Sequence, residues 1–303
     1  LFVMLVICII RSCTLDGASE GLKYMFVPGW ALANGVIKET PDFFSVLSTA
    51  GGQMFFSLSL GMAAMITYGS YLDKKENLQK NAIIIVVMDT LVALMAGLCV
   101  IPGRFALDPT GNLGGPSLLF VTMQNVFDRM GSVGPIFGIM FYLLVVFAAV
   151  SSSISLLEAV VAHFVDKARD QGKGDKRKAY SVLAGIAAGI LCVIVCLDSL
   201  GNAGISPADI LGMRGTMEKL PTWSADWLDF FDCIAEGILM PLGALLMSIM
   251  YGWEIGPEVV HAEATREGQS FGAYGWFKIC IKYITPLCML LVLYGQIKEF
   301  FFV

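Results

Sequence analysis

The sequence predicts an all-α integral membrane protein, and three observations support that fold class. Of its 303 residues, 56% are hydrophobic and only 15% are charged, and the mean hydropathy is +0.73. Soluble proteins contain about 25% charged residues, so this composition cannot easily cover a water-exposed surface. Residues 43–72, 130–157 and 179–197 contain no Asp, Glu, Lys or Arg, whereas a helix crosses a bilayer with about 20 apolar residues. These features argue against a soluble globular enzyme, and a net charge of −5 excludes a generally basic nucleic-acid binder, so no nucleic-acid partner is expected.

The apolar segments are assigned in chain order as spans separated by loops. Residues 1–10 are apolar but too short for a crossing, and Arg11 follows them directly. We therefore expect a half-helix at the start, and a chain that is a fragment. Residues 133–165 exceed one crossing, so that helix should tilt or extend beyond the bilayer. The half-helix is 1–12, outer loops are 13–48 and 104–132, and crossings are 49–71, 82–103, 133–165, 179–199, 227–252 and 275–298.

Positive charge in the short loops predicts the orientation. Loops 72–81 and 166–178 lie on the same side of the predicted bundle and are rich in Lys and Arg. The positive-inside rule places both in the cytoplasm, which predicts a multi-pass protein of the cytoplasmic membrane. The basic residues of these two loops are Lys74, Lys75, Lys80, Lys167, Arg169, Lys173, Lys176, Arg177 and Lys178.

The middle of 49–71 is unusually polar for a crossing. Ser57, Ser59 and Gly61 cluster there; glycine weakens a helix, and serine hydroxyls can replace lost backbone hydrogen bonds. A helix broken at this point would present carbonyls to a cation and a helix N-terminus to a carboxylate. The alternative is that these small residues only let helices pack closely.

A second polar cluster occupies 148–155. Ala148, Ser152 and Ser155 share one helix face, and Ser151 lies beside them. Their hydroxyls could turn toward a hard cation, which prefers oxygen ligands. They could equally hydrogen-bond to the preceding helical turn.

Acidic residues inside predicted spans are the third feature. Asp89 lies in an apolar run, where a carboxylate costs several kcal/mol unless it is paired or ion-bound. It is either a functional group or one half of a structural ion pair. Asp229, Asp232 and Glu236 begin the 227–252 span, where a solvated helix start is the alternative to a functional role.

An intramembrane enzyme is a weaker alternative. Such an enzyme needs a nucleophile and a base at the same depth, yet neither His163 nor His261 lies in a predicted mid-membrane serine cluster. The sequence therefore predicts no enzyme and no organic cofactor.

Four segments, in the right order, resemble the neurotransmitter:sodium symporter family in its bacterial, leucine-transporter-like form. Residues 53–61 with 66–71 resemble its helix 6, 89–97 with Pro102 its helix 7, 151–158 its helix 8, and 283–286 its helix 11. The family fold relates helices 1–5 to helices 6–10 by an inverted repeat. The resemblance implies that this chain holds the end of helix 5, a broken helix 6 and helices 7–11. It would lack helices 1–4 and part of helix 5, the missing N-terminal half of the same protein.

The resemblance also implies roles for individual residues. Two sodium sites are expected in the full-length protein, with no organic cofactor. The first takes Ser57 and Asp89, and the second takes Ala148, Ser151 and Ser152.

The implied substrate pocket and gates use further positions. Phe56 corresponds to an aromatic lid over the substrate, Asp232 to the outer gate, and Tyr71 with Asp166 to the inner gate. The pocket residues are Phe56, Ser59, Met62, Ser152 and Leu156.

The function implied is sodium-coupled symport of an amino acid or related amine across the cytoplasmic membrane by alternating access. The expected partners are that small-molecule substrate and the lipid bilayer. The alternative is a truncated or decayed family member that serves as a non-transporting membrane scaffold.

Overall fold

A computed structural model describes residues 2–111, 114–172, 174, 176–213 and 221–301. Lys173 of the predicted cytoplasmic loop 166–178 and residues 112–113 of the predicted outer loop 104–132 lie outside that range. Within the described residues, all regular structure is helical, which confirms the predicted all-α class.

The first half of the chain contains nine helices among its described residues. Short π-helical and 3-10 turns at Leu118–Thr122 and Gly131–Val133 flank the eighth. The helices are α1 (Phe2–Cys13), α2 (Ala18–Phe26), α3 (Trp30–Ala33), α4 (Phe43–Ser57), α5 (Ala64–Ser70), α6 (Leu78–Leu107), α7 (Gly115–Ser117), α8 (Met123–Arg129) and α9 (Gly134–Asp170).

The helices of the second half are interrupted more often. Three π-helical segments, Cys233–Leu239, Met250–Glu254 and Cys280–Ile284, continue neighbouring α-helices, and 3-10 turns occupy Thr222–Ser224 and Arg266–Gly268. The α-helices are α10 (Arg177–Asp198), α11 (Pro207–Ile210), α12 (Trp227–Asp232), α13 (Met240–Ile249), α14 (Pro257–Ala264), α15 (Tyr274–Ile279) and α16 (Thr285–Phe301).

Five helical segments among the described residues are long and apolar enough to cross a membrane. A sixth is obtained if α1 and α2, which meet at 110°, count as one broken span. This supports the predicted multi-pass membrane protein. The five are Leu78–Leu107, Gly131–Asp170, Arg177–Asp198, Trp227–Glu254 and Tyr274–Phe301.

The chain divides into two compact units, 1–40 with 86–154 and 41–85 with 155–303. The core of the first unit joins α1, α6, α8 and α9 through apolar side chains and the buried thiols of Cys8 and Cys99. The core of the second unit joins α4, α13 and α16 through Phe55, Met240 and Val292.

Helix α4 begins at Phe43, whereas the sequence predicts a span from 49. The carboxylate of Asp42 accepts a hydrogen bond from the Phe44 N–H at 3.3 Å, and this N-cap starts the helix earlier. The predicted outer loops 13–48 and 104–132 also contain helical turns, α2 and α3 in the first and α7 and α8 in the second. Their apolar residues are too few for a span, which is why the hydropathy pattern marks them as loops.

Candidate functional site

The helix predicted over 49–71 is interrupted between Ser57 and Ala64. Within the interruption Ser59, Gly61 and Ala63 have positive φ angles of 55°, 74° and 63°. The left-handed conformation costs about 1–2 kcal/mol for a residue with a Cβ. Strained backbone of this kind persists only where the surrounding structure enforces it, and it concentrates at functional sites.

Helix α13 supports the interruption from within the same unit. A Cβ at Gly61 would collide with the carbonyl oxygen of Met240, and one at Gly243 would lie 2.7 Å from the carbonyl oxygen of Gly61. The two backbones therefore touch without intervening side chains. Gly61 thus has two reasons to be glycine, its positive φ and the contact with α13.

The interruption changes the hydrogen bonding in the middle of the predicted 49–71 crossing. The Leu58 and Leu60 N–H groups bond back to the Met54 and Phe55 carbonyls, and both N–H and Oγ1 of Thr67 bond to the Ala63 carbonyl. A helix end leaves carbonyl groups without helical partners, and a helix start leaves N–H groups. These are the groups with which a cation and a carboxylate interact favourably.

Four predicted site residues lie at this interruption, in the second unit. The Phe56 side chain is 54% exposed, and Ser57 next to it is also exposed. Ser59 and Met62 are half-buried. The chain itself brings these four together, between the end of α4 and the start of α5.

The predicted serine cluster lies on α9. Ala148, Ser151 and Ser152 belong to the first unit, and Leu156, one turn further along the helix, belongs to the second. The Ser151 hydroxyl donates to the Ala148 carbonyl at 2.8 Å. This is the hydrogen bond to the preceding helical turn that the sequence allows as an alternative to cation binding. The hydroxyl oxygen keeps its lone pairs, so this bond is compatible with holding a cation.

Asp89 is half-buried in the middle of α6, in the first unit. Thr90 beside it donates its hydroxyl to the Val86 carbonyl at 2.9 Å. Asp89 therefore sits on a regular helix, unlike Ser57, which ends one.

Tyr71, predicted for the inner gate, contacts a residue that sequence reasoning did not assign. Its hydroxyl donates to Glu158 Oε1 at 2.5 Å, and Arg177 Nη2 lies 2.7 and 2.6 Å from the two oxygens of Glu158. Asp166 is exposed, two turns further along α9. The sequence marks each residue separately but not as a pair, because Glu158 directly follows the uncharged run 130–157 and Arg177 lies just before the uncharged run 179–197.

Asp232, predicted for the outer gate, lies where α12 becomes the π-helical segment Cys233–Leu239. Asp232 is exposed, and Glu236, one helical turn further along, is half-buried. The π-helical turn marks a second irregularity in a spanning helix, and such turns are frequent at functional sites.

Known proteins resemble nearly the whole chain. The family model described as the sodium:neurotransmitter symporter family matches residues 1–302. The sodium-dependent transporter YhdH of Bacillus subtilis (strain 168) is 33% identical over 297 residues, covering 96% of this chain and 58% of that protein. The sodium-dependent transporter MJ1319 of Methanocaldococcus jannaschii is 26% identical, covering 97% of this chain and 54% of that protein.

A solved structure has the same fold. The crystal structure of MhsT in complex with L-phenylalanine matches with a TM-score of 0.75 and 32% identity, covering 97% of this chain and 60% of that one. The chain thus spans between 54% and 60% of the length of these three proteins.

Proposed function

This chain belongs to the sodium:neurotransmitter symporter family, as its motifs predict, and we propose from that premise that its protein is a sodium-coupled symporter. The observation that carries the proposal is the interruption between Ser57 and Ala64, with three left-handed residues inside an otherwise apolar span. Alternating access in such a carrier requires that ligands bind one conformation more tightly than the other.

The proposed sodium ligands are oxygen atoms, as a hard cation prefers. Ser57 and Asp89 contribute to the first site. The carbonyl of Ala148 and the hydroxyls of Ser151 and Ser152 contribute to the second. Further ligands would come from the part of the protein that this chain does not include.

The proposed substrate is an amino acid or related amine. Phe56 covers it, Ser59 and Ser152 supply polar contacts, and Met62 and Leu156 line an apolar wall. The last two favour an apolar side chain. MhsT is described in complex with L-phenylalanine, so L-phenylalanine is the first substrate to test.

The proposed inner gate combines Tyr71, Glu158 and Arg177, with Asp166 as a further member. Loops 72–81 and 166–178 would face the cytoplasm, which places this network at the inner end of the pathway. Asp232 with Glu236 occupies the corresponding position at the outer end. Sodium bound beside the interrupted helix would stabilise the outward-facing state.

Uptake of radiolabelled L-phenylalanine into proteoliposomes tests the proposal, using the complete protein that contains this chain. We expect uptake driven by an inward sodium gradient, with none when potassium replaces sodium. Ser57→Ala and Ser152→Ala should each raise the half-saturating sodium concentration. Ser153→Ala is the control and should not, since no site role is assigned to Ser153, although its hydroxyl bonds back to the Ala149 carbonyl as that of Ser151 does to Ala148.

If L-phenylalanine is not taken up, a panel of amino acids and amines is tested by sodium-dependent thermal stabilisation. Failure of every substrate to bind in a sodium-dependent way would contradict the proposal. That result would favour the scaffold alternative.

A further inference from the structure

Helices α4 and α16, both in the second unit, approach each other through three glycines. A Cβ at Gly51 would lie 2.6 Å from Val292 Cγ2, and a Cβ at Gly52 would collide with the side-chain amide of Gln296. On the opposite helix, a Cβ at Gly295 would collide with the Ser48 hydroxyl. A methyl group at any of these three positions would therefore force a side chain of the opposite helix to move.

Two buried polar side chains cross the same interface. The Ser48 hydroxyl donates to the Val292 carbonyl at 3.4 Å, and Gln296 Nε2 donates to the Ser48 carbonyl at 3.2 Å. Ser48 is 4% exposed and Gln296 5%. A buried amide without a hydrogen-bond partner is costly, so a slip of one helix along the other is disfavoured. Close glycine contacts and these hydrogen bonds together select one register.

The interface lies directly before the predicted binding residues. Gly52 precedes Ser57 by five residues, which is about 7.5 Å along a helix. Phe55, 2% exposed, packs with Met240 and Val292 in the core of this unit. A shift of α4 against α16 would therefore displace Phe56 and Ser57.

We infer that α16 positions the end of α4 for ion and substrate binding. Ser48, Gly52, Gly295 and Gln296 form what we call the helix clamp. These are positioning residues that act through Phe56 and Ser57 and do not touch the ligands. The inference rests on the proposed sodium-coupled function and adds the residues that set the affinity of its site.

The test uses the complete protein. One substitution introduces a steric clash between the two helices, and a second substitution removes it. Gly295→Ala should raise the half-saturating sodium concentration for substrate binding about tenfold or more, because the new methyl group pushes against Ser48. Adding Ser48→Gly removes the obstructing side chain. The double variant should return to within about twofold of Ser48→Gly alone. Gly189→Ala on α10, where a Cβ meets nothing within 4 Å, is the matched control and should leave sodium affinity unchanged.

If the helix clamp has only a structural role, the result should differ. Gly295→Ala would then have a lower melting temperature or expression, but the folded fraction would keep its sodium affinity. That outcome would overturn the inference that the clamp positions the binding residues. A tenfold loss that Ser48→Gly does not relieve would overturn it too. If Gly295→Ala does not fold, Gln296→Leu removes the amide without adding a Cβ at a glycine. It should weaken sodium binding about threefold or more, and unchanged affinity would refute the clamp.

The unsubstituted protein separates the two proposals. Absence of any sodium-dependent binding there would overturn the proposed function, and with it the role of the clamp. Normal binding there, with no coupling between positions 48 and 295, would overturn the clamp alone.

Discussion

Gly61 is the position at which one methyl group should disturb the site most. Its φ is 74°, and a Cβ there would collide with the Met240 carbonyl. The conformation alone costs about 1–2 kcal/mol for alanine, and the collision adds to it. We expect Gly61→Ala to lower the melting temperature of the complete protein and to abolish sodium-dependent substrate binding.

Gly189→Ala again serves as the control for this substitution. Gly189 lies inside α10, and a Cβ there meets nothing within 4 Å. Alanine in a helix interior is more stable than glycine by about 0.5–1 kcal/mol, so this variant should melt no lower than the unsubstituted protein. Normal sodium-dependent binding by Gly61→Ala would show that the interruption does not require its left-handed glycine.

In the proposed inner gate, substitutions of Tyr71 and Glu158 can remove the hydrogen bond and the charge separately. Tyr71→Phe removes the bond to Glu158, while Glu158→Gln keeps an acceptor for Tyr71 but removes the charge that pairs with Arg177. Exposed pairs contribute about 0–1 kcal/mol, so each change should move the conformational equilibrium by at most several-fold.

Both gate variants should shift the protein toward the inward-open state. The measurement is the alkylation rate of a single cysteine introduced below the gate, with and without sodium. Arg177→Lys, which keeps the charge but loses the planar guanidinium, should have a smaller effect. Unchanged alkylation in Tyr71→Phe and Glu158→Gln would contradict the assignment of this network to the gate.

At the scale of elements, Asp198 joins the end of α10 to the start of α12. It is 1% exposed, and its Oδ2 accepts the Trp227 N–H at 2.9 Å. Asp198→Ala would leave the partly buried Trp227 N–H without its partner, at a cost of up to about 1–3 kcal/mol. We expect a lower melting temperature and unchanged sodium affinity of the folded protein. Asp73→Ala, in an exposed loop, should change stability by less than about 0.5 kcal/mol; an equal effect of both would refute the argument.

The elements also show what the sequence can predict. Runs of apolar residues identify the crossings, because a membrane demands about 20 of them in a row. Ser57, Ser59 and Gly61 predict the interruption, because glycine and serine stand where a span needs strong helix formers. The early start of α4 depends on a single N-cap, Asp42, which hydropathy cannot detect.

Contacts between distant segments are the part that the sequence leaves open. Glu158 lies within the predicted 133–165 crossing and Arg177 just before the 179–199 crossing, and only the fold shows that Tyr71 reaches them. The closeness of α4 and α16 is likewise invisible in a single sequence. Gly51, Gly52 and Gly295 look like any other small residues there, and their spacing does not identify the helix that they face.

At the scale of the whole molecule, the charge of the proposed first sodium site predicts the ions that transport needs. Asp89 supplies a fixed negative charge inside a spanning helix, where an ionised carboxylate is stable only when paired or ion-bound. A sodium ion next to it is then neutralised by the protein itself and requires no mobile anion. We therefore predict that uptake by the complete protein persists when gluconate replaces chloride on both sides of the membrane.

Asp89→Asn should make sodium binding and uptake dependent on chloride. The neutral amide keeps the shape of the side chain and an oxygen ligand but removes the negative charge. Sodium binding should then weaken in gluconate and recover at least in part in chloride, since a small anion can supply the missing charge. Uptake in chloride and gluconate, for both proteins at matched expression, provides the comparison. Collapse of uptake by the unsubstituted protein in gluconate would show that Asp89 does not balance the sodium charge, and Asp89 would then be a structural partner within the bundle.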